Sequence, residues 1–141
     1  MSHMAKIELE INDLNTLDQA CKRLGLALIL NQRSYRWFGQ WIGDHPLPDG
    51  FTTDDLGKCD HVITVPGAQY DIGVVKKNGK HILLWDFWIS GGLEEVLGPG
   101  AGKLKQAYAV SKATIEAKKK GYRVMEKKTE TGIRLTLRGG R

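Results

Sequence analysis

The feature that most constrains the fold is the dipeptide Asn78-Gly79, which separates two segments rich in apolar and β-branched residues. Asn and Gly adopt the positive φ angles that a two-residue hairpin turn requires, so the strands on either side must run antiparallel. We therefore expect strands at residues 70–76 and 81–88. A third apolar segment, at residues 61–65, is expected to join them in one sheet.

The chain begins with the pattern of a strand followed by an amphipathic helix. Residues 6–11 alternate between apolar and charged side chains, which is typical of a strand with one buried face. Asn12 or Asp13 then caps a helix with apolar residues at every third or fourth position. Gly25 follows the last turn and is expected to end the helix in a left-handed conformation.

The next segment combines a short strand with a long irregular stretch. Residues 26–29 are a short apolar run that predicts a buried strand, and residues 31–38 are expected to continue it as a more polar edge. Residues 39–58 contain glycines, prolines and scattered acids, so they predict a long loop excursion rather than a regular element. Loops of this length in a compact domain often carry function.

The last third of the chain contains a helix and two strands. Residues 103–120 have the apolar spacing of a helix, and a glycine-rich loop precedes them. Residues 122–128 and 133–138 are expected to be strands on either side of a short turn. Residues 138–141 are expected to form a flexible tail.

This order of elements predicts one domain over residues 1–141, since a chain of this length buries enough surface for a core. The expected class is α+β, with two helices packed on one face of a mainly antiparallel sheet, in a ferredoxin-like or related two-layer sandwich. The net charge of +5 favours acidic partners such as phosphates or acidic protein surfaces.

Several functional classes are not expected. Cys21 and Cys59 lack paired spacing and the four histidines lack ligand spacing, so we expect no disulfide framework, no metal and no cofactor. No serine or cysteine nucleophile is flanked by a base in a known motif, so we expect no enzyme. No segment reaches the apolar length of a membrane span or a signal peptide, which predicts a cytoplasmic protein without a membrane partner.

The glycine loop before residues 103–120 predicts an anion-binding site. The first N–H groups of a helix lack partners within the helix, and glycine lets a phosphate approach the backbone. The spacing is too short for a phosphate-binding loop, and Leu104 stands where that motif needs a hydroxyl. The expected anion contacts are Gly100, Gly102, Lys103 and Tyr108, with Asp71, Asp86 and Trp88 as neighbours.

Asp71 and Asp86 support an alternative function, because each lies on a predicted strand among aromatic residues. A buried Asp86 must be paired or protonated, which makes it a candidate site residue. Two carboxylates on neighbouring strands serve acid-base chemistry only where they converge in one cleft. A small hydrolase that uses these two residues is therefore an alternative hypothesis.

A second alternative is nucleic-acid binding through a basic helix and an aromatic strand. Aromatic residues interleaved with arginines stack bases and contact phosphates in single-strand binders, although such residues also occur at protein interfaces. The candidate residues are Arg33, Tyr35, Arg36, Trp37, Lys105 and Lys112. The C-terminal third is also strongly basic, through residues that include Arg123, Lys127, Lys128, Arg134, Arg138 and Arg141. Contacts of this kind weaken steeply with salt.

Several motifs resemble the family of the chloroplast reading frame ycf thirty-five. They are the opening Met1-Ser2-His3, Cys21-Lys22-Arg23-Leu24-Gly25, Tyr70-Asp71-Ile72-Gly73, Asp86-Phe87-Trp88 and the segment from Lys103-Leu104-Lys105-Gln106-Ala107-Tyr108-Ala109 to Gly121-Tyr122. The resemblance spans nearly the whole chain and implies no particular chemistry. It implies a genomic context near an AAA-type ATPase, and hence an accessory partner of that ATPase.

The sequence therefore favours a non-enzymatic binding or adaptor protein, or a receptor for a phosphate-bearing small ligand. The partners expected are an AAA-type ATPase or another protein. Exposed aromatic segments on a small chain also favour a homodimer.

Overall fold

The computed structural model describes residues 2–43 and 45–139. Five strands form the main sheet in the order β1-β5-β4-β3-β2, and every neighbouring pair is antiparallel. These strands are β1 (Met4–Ile11), β2 (Ala27–Leu30), β3 (His61–Thr64), β4 (Ile72–Lys77) and β5 (Lys80–Asp86). The helices are α1 (Leu14–Arg23), α2 (Leu93–Leu97) and α3 (Gly102–Lys119). Strands β6 (Tyr122–Lys128) and β7 (Ile133–Gly139) form a separate two-stranded ribbon.

The predicted hairpin is confirmed. Asn78 and Gly79 both have positive φ angles, of 53° and 77°, and connect β4 to β5. Lys77 and Lys80 are the first pair of the ladder beyond the turn. The turn therefore sets the register of the two central strands from local conformational preference alone.

Helix α1 begins and ends as its sequence predicts. The Asp13 carboxylate accepts hydrogen bonds from the Thr16 hydroxyl at 2.8 Å and from the Asn15 N–H at 3.0 Å. These bonds lower the pKa of Asp13. Gly25 has a φ of 72°, which supplies the left-handed conformation after the last turn.

The helices cover one face of the main sheet and enclose the larger core. The fully buried residues of this core include Leu17 and Cys21 of α1, Leu93 of α2, Leu104 of α3, and Ile72 and Leu83 of the sheet. This arrangement confirms the predicted α+β class and its two-layer packing. Burial raises the pKa of the Cys21 thiol to about 12.

The excursion that precedes β3 covers the other face of the sheet. The expected strand at residues 31–38 is wrong: the described residues there form only an isolated bridge between Ser34 and Lys58. The chain instead folds over the sheet, where the Tyr35 ring lies against Gly73. A second core results, formed by Met4, Tyr35, Phe51, Leu56, Cys59, Val62 and Leu84.

The strands that follow α3 do not join the main sheet. A ferredoxin-like arrangement needs a strand of that sheet after its second helix, so this fold is a related two-layer sandwich with an added ribbon. Arg138 and Gly139 were expected in a flexible tail, but they pair with Arg123 and Tyr122 as part of β7. Gly140 and Arg141 lie outside the described residues.

Within residues 2–43 and 45–139, no helix is both long and apolar enough to cross a bilayer. The same residues contain no group of three or more His, Cys, Asp or Glu side chains arranged to hold a metal ion.

Candidate nucleic-acid interface

The β6–β7 ribbon forms because half-buried and exposed side chains alternate in the first part of each strand and a tight turn joins the two strands. The Thr129 N–H donates to the Gly132 carbonyl at 2.8 Å, and the Gly132 N–H donates to Thr129 Oγ1 at 3.1 Å. Seven residue pairs then run from Lys128 opposite Ile133 to Tyr122 opposite Gly139. Directly opposed residues of an antiparallel pair point to the same side, so this register decides the composition of each face.

One side of the ribbon, which we call the outer face, is strongly basic. Arg123 lies opposite Arg138, and Lys127 lies opposite Arg134, with Met125 and Thr136 paired between them. All six residues are exposed. The four cations make no ion pair with any described residue. The outer face therefore carries four positive charges and no acid.

Like charges placed directly opposite each other destabilise an antiparallel pair. In the free protein the two cationic pairs are unfavourable, although water and salt screen them. A polyanion against the outer face would reverse the sign of this interaction. The arrangement suits a partner with closely spaced negative charges, of which the phosphate backbone of a nucleic acid is the commonest example.

The opposite side of the ribbon, its inner face, packs against the body of the domain. Val124, Ile133 and Leu135 are half-buried there, and the ribbon contacts α3. The Arg23 guanidinium of α1 donates to both carboxylate oxygens of Glu126, and its Nε donates to Ser111 Oγ of α3 at 3.0 Å. These contacts hold the ribbon at a fixed orientation.

The Arg23 guanidinium also sets the titration of its partner. Its hydrogen bonds hold the pKa of the Glu126 carboxyl below its ordinary value of 4.5. Glu126 therefore remains charged in mildly acidic solution, and the contact between the ribbon and the helices persists there.

A cleft of about 580 Å³ lies between α3, the end of α1 and part of the inner face. Its walls combine apolar side chains, including Leu24 and Ile133, with the polar Lys103, Gln106 and Lys128. Neither Lys103 nor Lys128 has an ion-pair partner in the described part of the chain. The cleft thus offers two cations beside an apolar wall.

The structure gives the residues expected at the glycine-loop site different surroundings. The Gly100 N–H already donates to Glu94 Oε2 at 3.1 Å, so an acid of the chain itself occupies that position. Gly102 is exposed at the first turn of α3, and Lys103 lines the cleft. Tyr108 lies on a different side of α3, in the larger core, where burial raises the pKa of its hydroxyl. Tyr108 is thus buried, whereas Gly102 and Lys103 are exposed at the start of α3.

Asp86 holds two distant backbone segments at the end of β5. Its carboxylate is fully buried, and it accepts hydrogen bonds from the N–H groups of His3 at 2.9 Å, Phe38 at 3.1 Å and Trp88 at 3.1 Å. These three donors satisfy the hydrogen-bonding capacity of the buried carboxylate from within the chain. The Trp88 ring, in turn, lies edge-on to the His3 ring at 4.8 Å between centroids.

Asp71, which directly precedes β4, likewise accepts hydrogen bonds from a distant segment of the chain. The ladder of β4 and β5 begins with Gly73 opposite Leu84, and Asp71 and Asp86 each lie two residues beyond that pair. Its carboxylate accepts from the Arg36 backbone N–H at 2.9 Å and from Arg36 Nη2 at 2.9 Å. Both carboxylates are thus engaged by backbone or guanidinium donors, and their observed contacts anchor the excursion to the sheet.

The aromatic segment that was expected to bind nucleic acid contributes mainly to packing. Tyr35 is only 4% exposed, so its ring is not available to stack on a base. Trp37 is half-buried and packs on the second core, with Nε1 close to Gly57. Arg36 binds Asp71, and Arg33 Nη1 forms an ion pair with Asp60 at 2.9 Å.

The two helix lysines of the same hypothesis lie elsewhere. Lys105 is half-buried close to Gly100, and Lys112 lies near β1, where Lys80 and, more weakly, Lys112 lower the pKa of Glu10. Neither lysine belongs to the outer face, which is formed by residues of β6 and β7. The sequence identified the outer-face cations only as part of a basic run. The signal that could have found these four cations is the turn at residues 129–132. Pairing the two strands outward from that turn places the four cations on one face.

Comparisons with known proteins found no matching family model, no matching curated protein and no matching solved structure. The resemblance to the ycf thirty-five family therefore stays an expectation.

Proposed function

We propose that this chain is a non-enzymatic nucleic-acid-binding protein that contacts phosphates through the outer face of the β6–β7 ribbon. One observation carries the proposal: the register pairs Arg123 with Arg138 and Lys127 with Arg134 on a single exposed face without acids. Arginine supplies a planar fork of donors that suits phosphate oxygens, and lysine supplies a mobile point charge.

The distribution of charge supports this choice of surface. The four outer-face cations account for four of the five net positive charges of the chain, so the remainder is close to neutral. Concentration of charge on one face is the electrostatic footprint of a nucleic-acid binder. Arg23 of α1 also donates hydrogen bonds to Glu126 of the ribbon and to Ser111 of α3. These bonds fix the ribbon to the helices, so the cations are presented on a rigid support.

The test is fluorescence anisotropy of a labelled duplex of about two helical turns, titrated with the full chain at several salt concentrations. Four phosphate contacts predict that the logarithm of the association constant falls with the logarithm of salt concentration with a slope of roughly −3 to −4. The double variant Arg123→Gln/Arg134→Gln removes one cation from each opposed pair, and it should reduce that slope by about 2.

The matched control is Lys105→Gln/Lys112→Gln, which removes two positive charges from α3 instead. We expect its slope to stay close to that of the parent chain. An equal loss of slope in both variants would mean that binding follows net charge and not this face. Absence of binding at low salt would overturn the proposal and favour the adaptor function that the family resemblance implies.

The cleft beside the inner face supports a second candidate, a receptor for a phosphate-bearing small ligand. Lys103 and Lys128 are unpaired cations beside the apolar Leu24 and Ile133. A ligand that binds only the folded chain raises its melting temperature. We expect pyrophosphate to raise Tm in the parent chain and less so in Lys103→Gln; the control is Lys58→Gln, at an exposed position outside the cleft. No shift at saturating pyrophosphate would overturn this candidate.

A further inference from the structure

We propose that the outer face enters the major groove of duplex DNA, with the two strands of the ribbon running along the groove. This inference deepens the proposed function and rests on it, because it names the form of nucleic acid that the same four cations contact. It follows from the dimensions of the ribbon and from the two uncharged side chains between the cationic pairs.

The dimensions of the ribbon suit this groove. A strand of seven residues is about 23 Å long, and two paired strands lie about 4.8 Å apart. The major groove of B-form DNA is about 12 Å wide and 8.5 Å deep, and it admits a two-stranded ribbon. Among the described residues, no further strand pairs with either edge of the ribbon, so no neighbouring strand blocks its entry.

The order of side chains on the outer face separates phosphate contacts from base contacts. Arg123 and Lys127 are four residues apart, which is about 13 Å along a strand. That distance corresponds to about four base pairs at roughly 3.4 Å each. Between the cations, Met125 and Thr136 offer apolar contact to a thymine methyl group and a hydroxyl for a base edge.

The composition of the outer face disfavours the other forms of nucleic acid. Binders of single strands stack bases on aromatic side chains, and the outer face has none. Duplex RNA has a deep and narrow major groove that side chains do not read. The aromatic residues expected to stack bases, Tyr35 and Trp37, lie in or against the second core.

The experiment compares three labelled probes of the same mixed sequence with the full chain: duplex DNA, duplex RNA and single-stranded DNA. A fourth probe is the DNA duplex with 7-deazaguanine in place of guanine, which removes the N7 acceptor from the major groove only. We expect duplex DNA to bind at least about tenfold more tightly than the RNA duplex or the single strand. We expect 7-deazaguanine to weaken binding of the parent chain but not to weaken that of Thr136→Val further, because Thr136 supplies the hydroxyl between the cationic pairs that donates to a base edge.

Two outcomes would overturn the groove assignment while leaving the phosphate contacts of the proposed function intact. They are equal affinity for the single strand and the duplex, and competition by netropsin, which occupies the minor groove. A duplex affinity that the double variant leaves unchanged would overturn both proposals. Circular dichroism of each variant establishes that it is folded before binding is compared.

Discussion

Arg123 and Arg138 lie directly opposite each other on the outer face of the ribbon, and no carboxylate of the described residues pairs with either of them. Cross-strand neighbours on one face are about 5 Å apart at their Cβ atoms, so the two guanidinium groups repel each other in the free protein. The chain places this unfavourable pair on a rigid support, which links its stability to the binding of an anionic partner.

The first prediction follows from this pair. Arg138→Thr should increase the free energy of unfolding by about 0.2–1 kcal/mol, because it removes a like-charge neighbour and keeps a residue suited to strands. Urea denaturation at low salt measures the gain, which should shrink near 1 M salt, where screening is nearly complete. The same variant should bind duplex DNA more weakly. Arg123→Lys keeps the charge and serves as the control; a gain of equal size in that variant would contradict the electrostatic explanation.

The second prediction concerns the contact between the Tyr35 ring and Gly73 in the second core. A Cβ atom on Gly73 would lie 2.5 Å from the Tyr35 ring, so Gly73→Ala should lower the free energy of unfolding by about 1–3 kcal/mol. The control is Gly102→Ala, since Gly102 has a right-handed helical φ of −54° and open space around it. That variant should gain about 0.4–1 kcal/mol. Thermal and urea unfolding measure both, and a neutral Gly73→Ala would mean that Tyr35 does not pack there.

The third prediction assigns a structural role to Asp86. In Asp86→Asn an amide donor replaces one carboxylate oxygen, so at least one of the N–H groups of His3, Phe38 and Trp88 loses its acceptor. We expect a loss of about 1–3 kcal/mol in the free energy of unfolding. Asp54→Asn, at an exposed position, should change it by less than about 0.5 kcal/mol.

The folded fraction of Asp86→Asn should bind duplex DNA as the parent chain does, because Asp86 lies on the sheet and the ribbon packs against α3. Fluorescence anisotropy at low temperature, without urea, measures the binding of the variant to duplex DNA. A variant with unchanged stability and altered binding would contradict the structural role.

The fourth prediction concerns acid. Arg23 lowers the pKa of Glu126 below 4.5, so their contact contributes stability that is fully present above that value and is lost as pH falls through the lower folded pKa. Glu126→Gln should therefore be less stable than the parent chain near neutral pH, and the difference should shrink in solutions more acidic than about pH 4. Urea denaturation across this range measures it. Glu116→Gln, which removes an exposed carboxylate of α3, is the control, and a difference that grows in acid would contradict the assignment.

Local patterns predicted much of the fold. The Asn78-Gly79 turn, the Asp13 cap and the left-handed Gly25 all depend on neighbours within a few residues, and each was predictable for that reason. Residues 31–38 were predicted wrongly, because their conformation depends on Gly73 and Asp71, which are far away in the chain. A strand pattern has no means of indicating that a tyrosine ring will lie on a glycine of another strand.

The candidate site divides in the same way. The sequence by itself determined that the C-terminal third is basic and that it forms two strands around a short turn, because side-chain charge and alternation are local properties. Only the tertiary structure decided that Arg123, Lys127, Arg134 and Arg138 share one exposed face and that Glu126 turns away from them toward Arg23. The physical reason is register: a shift of one residue between paired strands moves every side chain to the opposite face, and packing of the apolar inner face on α3 selects one register.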